Sequence, residues 1–161
     1  MQPLSFYKRR LIAGALLCSV AAPLWAASGT SSFDVSIQVL ATCSISASNM
    51  TFSSITTGTT SNTDATSSLT VNCSNGTPYT VALGNGANYT NVRRMAWGGS
   101  HVEYALYQDT SRSTEWNTVS MKSGTGNGSD QSFTIYGRVR AGQTITNTGS
   151  YGDTVIATVT Y

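Results

Sequence analysis

Histidine and lysine are almost missing from this 161-residue chain: His101 is the only histidine, and Lys8 and Lys122 are the only lysines. Without a second histidine there is no Ser-His-Asp or Cys-His arrangement, and no serine stands in a Gly-x-Ser-x-Gly elbow. The cysteines and the single histidine do not assemble a zinc set. The glycine-rich stretch "GTGNGSDQ" has one acid, Asp130, too few for a calcium loop, and reads as a flexible hairpin turn. His101 and Glu103 share a strand face, and a solvated strand residue is the preferred reading over a hydrogen-bonded pair. We therefore assign no catalytic, cofactor-binding or metal-binding residue, and the chain does not read as an enzyme.

Long hydrophobic runs are also missing. The one apolar stretch, "LIAGALLCSVAA", follows Lys8, Arg9 and Arg10 and precedes the small residues of "PLWAAS". It is short for a bilayer span and reads as a secretory signal peptide, residues 1–26, cleaved after Ala26 or, as second choice, after Ala27. A retained anchor is the alternative. Lipid modification at Cys18 fits less well, because Leu17 is bulky where a small residue belongs. No later segment is apolar enough for an integral membrane span.

Removing the leader changes the charge. Six lysine and arginine residues then face seven acids, a formal charge of −1. A nucleic-acid partner needs a basic patch, so it is not expected. Arg93–Arg94 and Arg138/Arg140 read as solvated strand edges. Cys43 and Cys73 remain, and export places them in an oxidising compartment. A disulfide is the reading there, with two free thiols as the alternative. A closed loop of about 30 residues stabilises by about 3–4 kcal/mol.

Proline is nearly missing from residues 27–161, with Pro78 alone, and no sustained 3.6-residue apolar period occurs. Thr, Ser, Asn and Gly dominate, and short alternating runs are separated by turn residues. "SLTVNC" points Leu69, Val71 and Cys73 inward, and "YTVALG" points Tyr79, Val81 and Leu83 inward. "HVEYALYQD" buries Val102, Tyr104 and Leu106, with Tyr107 opposite. "RRMAWGGS" reads as a short strand ending in a glycine turn, and "SSITTGTTSNTDATS" reads as loop. About seven strands in one domain, residues 27–161, predict an all-β, immunoglobulin-like β-sandwich. The disulfide would join the start of the first core strand to the end of the next. Trp97, Trp116 and Tyr79, Tyr89, Tyr104, Tyr107, Tyr136 and Tyr151 are more in keeping with core packing than with a sugar-stacking platform.

Two strands stand out. "FDVSIQV" places Phe33, Val35, Ile37 and Val39 on one face, and seven residues extend to about 23 Å. At the other end, "DTVIATVTY" places Val155, Ala157, Val159 and Tyr161 on one face, with no later strand in the chain to lie beside it. An unpaired apolar edge promotes aggregation unless something pairs with it. The first strand either completes its own sheet or completes a neighbour's. On pattern alone the intramolecular arrangement comes first. The second arrangement is head-to-tail and makes a filament.

The stretches "FDVSIQVLATCSISA", "LTVNCSNGTPYTVALGNG", "RRMA" with "VEYALYQD", and "GSYGDTVIATVTY" together resemble the spore coat protein U domain family, which includes archaic chaperone–usher pilus subunits. The resemblance covers essentially the whole chain after the leader. It implies an incomplete immunoglobulin-like domain lacking its final strand. A periplasmic chaperone fills the gap first. At an outer-membrane usher, the N-terminal segment of a neighbouring subunit replaces it. By that resemblance Phe33, Val35, Ile37 and Val39 would be the donor side chains. Val155, Ala157, Val159 and Tyr161 would edge the acceptor groove, and Cys43 and Cys73 match the family's disulfide positions. Two departures concern local turns: Ser53 follows Phe52, and Asn117 follows Trp116, where the family often has glycine.

The expectation is thus a structural subunit of a surface pilus, exported through the periplasm and serving attachment and biofilm formation. The alternatives are a secreted, self-complemented coat or matrix protein and, less in keeping, a carbohydrate-binding module.

Overall fold

Cys43 opens strand β1 (Cys43–Ala47), Cys73 closes β2 (Thr63–Cys73), and the two cysteines oppose each other in an antiparallel pair. Their disulfide forms in the computed structural model, which describes residues 25–161. The expected leader lies outside the described residues except for its last two. Among the described residues, no helix is long and apolar enough to cross a membrane.

The remaining strands are β3 (Pro78–Leu83), β4 (Arg93–Trp97), β5 (Ser100–Tyr107), β6 (Lys122–Thr125), β7 (Asp130–Val139) and β8 (Ala157–Thr160). They build two antiparallel sheets, one in the order β1-β2-β7-β5-β4 and the other β6-β3-β8. The expected all-β sandwich is what forms. The period-2 pattern explains its core. Leu69, Val71 and Cys73 of β2, Tyr79, Val81 and Leu83 of β3, Val102, Tyr104 and Leu106 of β5, and Ile135 and Val139 of β7 face one another and are buried. Between β4 and β5, Gly98 and Gly99 both take positive φ (54° and 79°), which a two-residue hairpin turn of this hand requires.

Several expectations are corrected. The stretch read as loop before "SLTVNC" contains the start of β2, because Thr63–Ser67 continue the ladder with β7. Asp64 opposes Arg138 there, and the guanidinium donates to both carboxylate oxygens at 2.7 and 2.8 Å. Arg138 is therefore paired. Arg93 is buried: Nε donates to the Gly84 carbonyl at 2.9 Å, and one terminal nitrogen serves the carbonyls of Leu83, Gly84 and Trp116. Lys122–Thr125 form β6 in the smaller sheet, so residues 126–129 cross between sheets and are no hairpin turn. Tyr107 points away from Leu106 yet is buried, because Gln108–Trp116 fold back and Glu115 bridges to it.

Trp116 is fully buried between the sheets, with its N–H on the Val81 carbonyl at 2.8 Å and its ring edge-on to Phe133. The turn after it does without glycine: the Asn117 Oδ1 accepts from the N–H groups of Val119 and Ser120 at 2.8 and 2.7 Å.

Residues 25–37 belong to a unit distinct from residues 38–161. Residues 25–42 contain no strand, and neither sheet includes them. The alternation at 33–39 is therefore present without the strand it predicts, since a strand's backbone groups need a partner ladder.

Candidate functional site

Strand β8 pairs with β3 along one edge only: Thr80, Val81, Ala82 and Leu83 oppose Thr160, Val159, Thr158 and Ala157. Among the described residues its second edge has no partner strand, and neither does the outer edge of β1 in the other sheet. Where β8 begins, the side chains between the two sheets are not fully covered. A groove of about 560 Å³ opens at this place.

Its floor is apolar: Leu83, Met95, Leu106 and Ile135, with the ring of Tyr104. One wall is residues 47–52, and the other is residues 151–155 with Ala157. The first wall is held by Ser48, whose N–H and carbonyl bond the Ser68 carbonyl and the Ser67 hydroxyl. Met50 and Phe52 then turn into the core. Gly137 makes room for them, since a Cβ there would collide with both side chains. A glycine in the middle of a strand is a sequence signal of such close approach, and it was the one available clue to this wall.

The second wall is tied to the loop after β3. Gly84 and Ala87 donate their N–H groups to the carbonyls of Ile156 and Thr154 at 2.8 and 3.1 Å. These bonds prolong the β8 contact upstream, which is why "DTVIATVTY" reads as a longer strand than Ala157–Thr160. Asp153 fixes the corner. Its carboxylate accepts from the Asn88 N–H and side-chain amide at 3.0 and 3.1 Å and from the Tyr104 hydroxyl at 2.6 Å. Burial, aided by the bond to Asp153, pushes the Tyr104 pKa well above the phenolic range, so it stays a donor. Burial also lowers the pKa of Arg93.

Of the residues expected at the groove edge, Val155 and Ala157 line the cavity, and Val159 packs half-buried on the core. Tyr161 departs from the pattern: it follows the end of β8 and is 59 % exposed. Phe33, Val35, Ile37 and Val39 are 86, 85, 89 and 85 % exposed. Four large aliphatic or aromatic side chains on one face of a short segment are thus left in water. A platform of Trp97 and Trp116 does not exist, because Trp116 is buried.

A search of curated proteins finds no match. Among solved structures, the fold is similar to a chain in the CsuC–CsuE chaperone–tip adhesion subunit pre-assembly complex from the archaic chaperone–usher Csu pili of Acinetobacter baumannii. The TM-score is 0.59 at 25 % identity, over 76 % of this chain and 40 % of that one. This chain therefore spans less than half the length of the protein it matches. The family model of the Spore Coat Protein U domain matches residues 29–158. With a match over that length, and with the sandwich and disulfide described above, the chain belongs to the Spore Coat Protein U domain family.

Proposed function

We propose that this protein is a structural subunit of an archaic chaperone–usher pilus, polymerised by donor-strand complementation. The observation that carries the reading is the unpaired second edge of β8 beside an apolar groove, in a chain whose residues 33–39 hold an unsatisfied amphipathic pattern. The groove offers backbone partners along one edge and apolar pockets on its floor. The segment offers backbone groups and four alternate apolar side chains. Strand addition needs this complementarity.

In this reading Phe33, Val35, Ile37 and Val39 enter the groove of a neighbouring subunit, and Val155, Ala157 and Val159 of that subunit form its edge. The contact is head-to-tail and does not close, so it propagates a fibre. Before assembly a periplasmic chaperone covers the groove, and an outer-membrane usher exchanges the two strands. The fibre would stand on the cell surface and serve attachment and biofilm formation. The likeness to a chain of a chaperone–subunit complex supports the partners named.

The test is the size of the exported protein on a denaturing gel, with and without boiling. A ladder of multiples that collapses to one band on heating is expected. A folded monomer in both lanes would sink the reading and point instead to a self-complemented coat or matrix protein.

A further inference from the structure

A second cleft, of about 580 Å³, shares Tyr104 with the floor of the groove and otherwise lies between the loop after β3, the solvent side of β5, the segment after Trp116 and the residues following β7. The proposed assembly reaction makes no use of it. Its chemistry is mixed in a specific way. Tyr89, Val92 and Val119 supply an apolar rim and are 42, 41 and 88 % exposed. Of the six tyrosines weighed for sugar stacking, Tyr89 alone is exposed. Beside that rim stand the carboxylates of Glu103 and Glu115, which make no hydrogen bond or ion pair among the described residues. The side-chain amides of Asn85 and Asn91 are likewise unengaged among the described residues. Arg140 adds one exposed guanidinium. Arg93, which also borders the cleft, directs its hydrogen bonds to main-chain carbonyls.

A ligand for this surface needs a flat apolar face and a rim of hydroxyls that both donate and accept. A pyranose ring has both: its C–H face packs on an aromatic ring, and its vicinal hydroxyls bond carboxylates and amides. The volume lies in the range of small-ligand sites. Arg93 and Arg140 balance the two carboxylates in charge, but Arg93 spends its donors on main-chain carbonyls, so the groups left free to meet a ligand are mainly acceptors and disfavour an acidic sugar. We infer that this cleft binds a short oligosaccharide of neutral or amine-bearing sugars, independently of what fills the groove.

The exported protein, in whatever assembly state it is purified, is titrated calorimetrically with a neutral gluco-hexaose, a glucosamine hexamer and an oligogalacturonate. Saturable binding of the neutral or the amine-bearing oligomer is expected. Tyr89→Ala and Glu115→Gln each weaken it by about tenfold, and Tyr89→Phe, which keeps the ring, retains it. Thr118→Arg, at an exposed position on the cleft, abolishes it while near-ultraviolet dichroism stays unchanged. No saturable binding to any of the three overturns the inference. So does binding that Tyr89→Ala and Thr118→Arg leave unchanged, or tightest binding of the acidic oligomer.

Discussion

The Tyr104 hydroxyl donates to the Asp153 carboxylate at 2.6 Å, and this one bond joins the floor of the groove to its rim. Tyr104 comes from β5, an inner strand of the larger sheet, and Asp153 lies just before the strand whose edge is open. The same carboxylate holds the loop after β3 through Asn88. The groove keeps its width because its rim is bonded both to β5 of the larger sheet and to the loop after β3 of the smaller one. Asp153→Ala leaves the Tyr104 hydroxyl and the Asn88 N–H without partners, at a cost of about 2–3 kcal/mol. Tyr104→Phe removes one neutral donor and costs about 1 kcal/mol. Denaturant unfolding of the two variants, as captured with the chaperone or complemented by a donor peptide, measures the difference. Equal losses would mean that Asp153 acts through Tyr104 alone.

Ile37→Asp separates the proposed donor segment from the proposed acceptor groove. The exposed segment loses its apolar face at one position while the sandwich is untouched. Under the proposed pilus reading, assembly between subunits is expected to fail, and chaperone capture to survive, since in that reading the chaperone brings its own strand. Ala157→Arg fills the groove edge and is expected to abolish both. Co-purification with the chaperone and the heat-sensitive ladder are the two readouts. Loss of capture in Ile37→Asp would place residues 33–39 in the subunit's own fold.

The inward faces of β2, β3 and β5 were legible in the sequence because alternation survives wherever one sheet face is buried. The cysteine register was legible for the same reason: Cys43 and Cys73 sit at the ends of two such runs. Arg93 was not legible. What buries it is a cluster of carbonyls from Leu83, Gly84 and Trp116, brought together only by the fold. Lys122–Thr125 carry no apolar alternation, so β6 hid inside a turn-like stretch. At the groove, the inward face of Val155, Ala157 and Val159 was legible from its alternation. The wall at residues 48–52 and the Asp153 corner depend on contacts between distant segments, with only Gly137 hinting at the first.

Reducing the disulfide should loosen β1, which among the described residues has no partner strand on its outer side. The Cys43→Ser/Cys73→Ser double variant is expected to lose about 3–4 kcal/mol. Because β1 leads into the groove wall at residues 47–52, capture by the chaperone should fall as well. Denaturant midpoints of the oxidised and double-serine proteins, each complemented by the same donor peptide, provide the check. Unchanged capture at reduced stability would show that β2 alone positions the wall.

Asp64 sets an acid limit to stability. The Arg138 hydrogen bonds, with Arg112 nearby at 3.3 Å, hold its pKa below the ordinary 3.8. A carboxylate whose pKa is lower folded than unfolded stabilises fully above the unfolded value. That contribution is lost as pH falls below 3.8 through the folded value. The pair is partly solvated, so the effect is small and screened by salt. Asp64→Asn should leave stability near neutrality slightly lower and flatten its fall between about pH 4 and pH 2. Asp109 contributes to the same limb. Its carboxylate accepts from the Ser111 hydroxyl and from the Ser113 and Thr114 N–H groups, which hold its pKa far below the usual range. Thermal unfolding followed across that pH interval, for wild type, Asp64→Asn and Asp109→Asn, resolves the two shares. An acid limb that keeps its slope in both variants would assign it to other carboxylates.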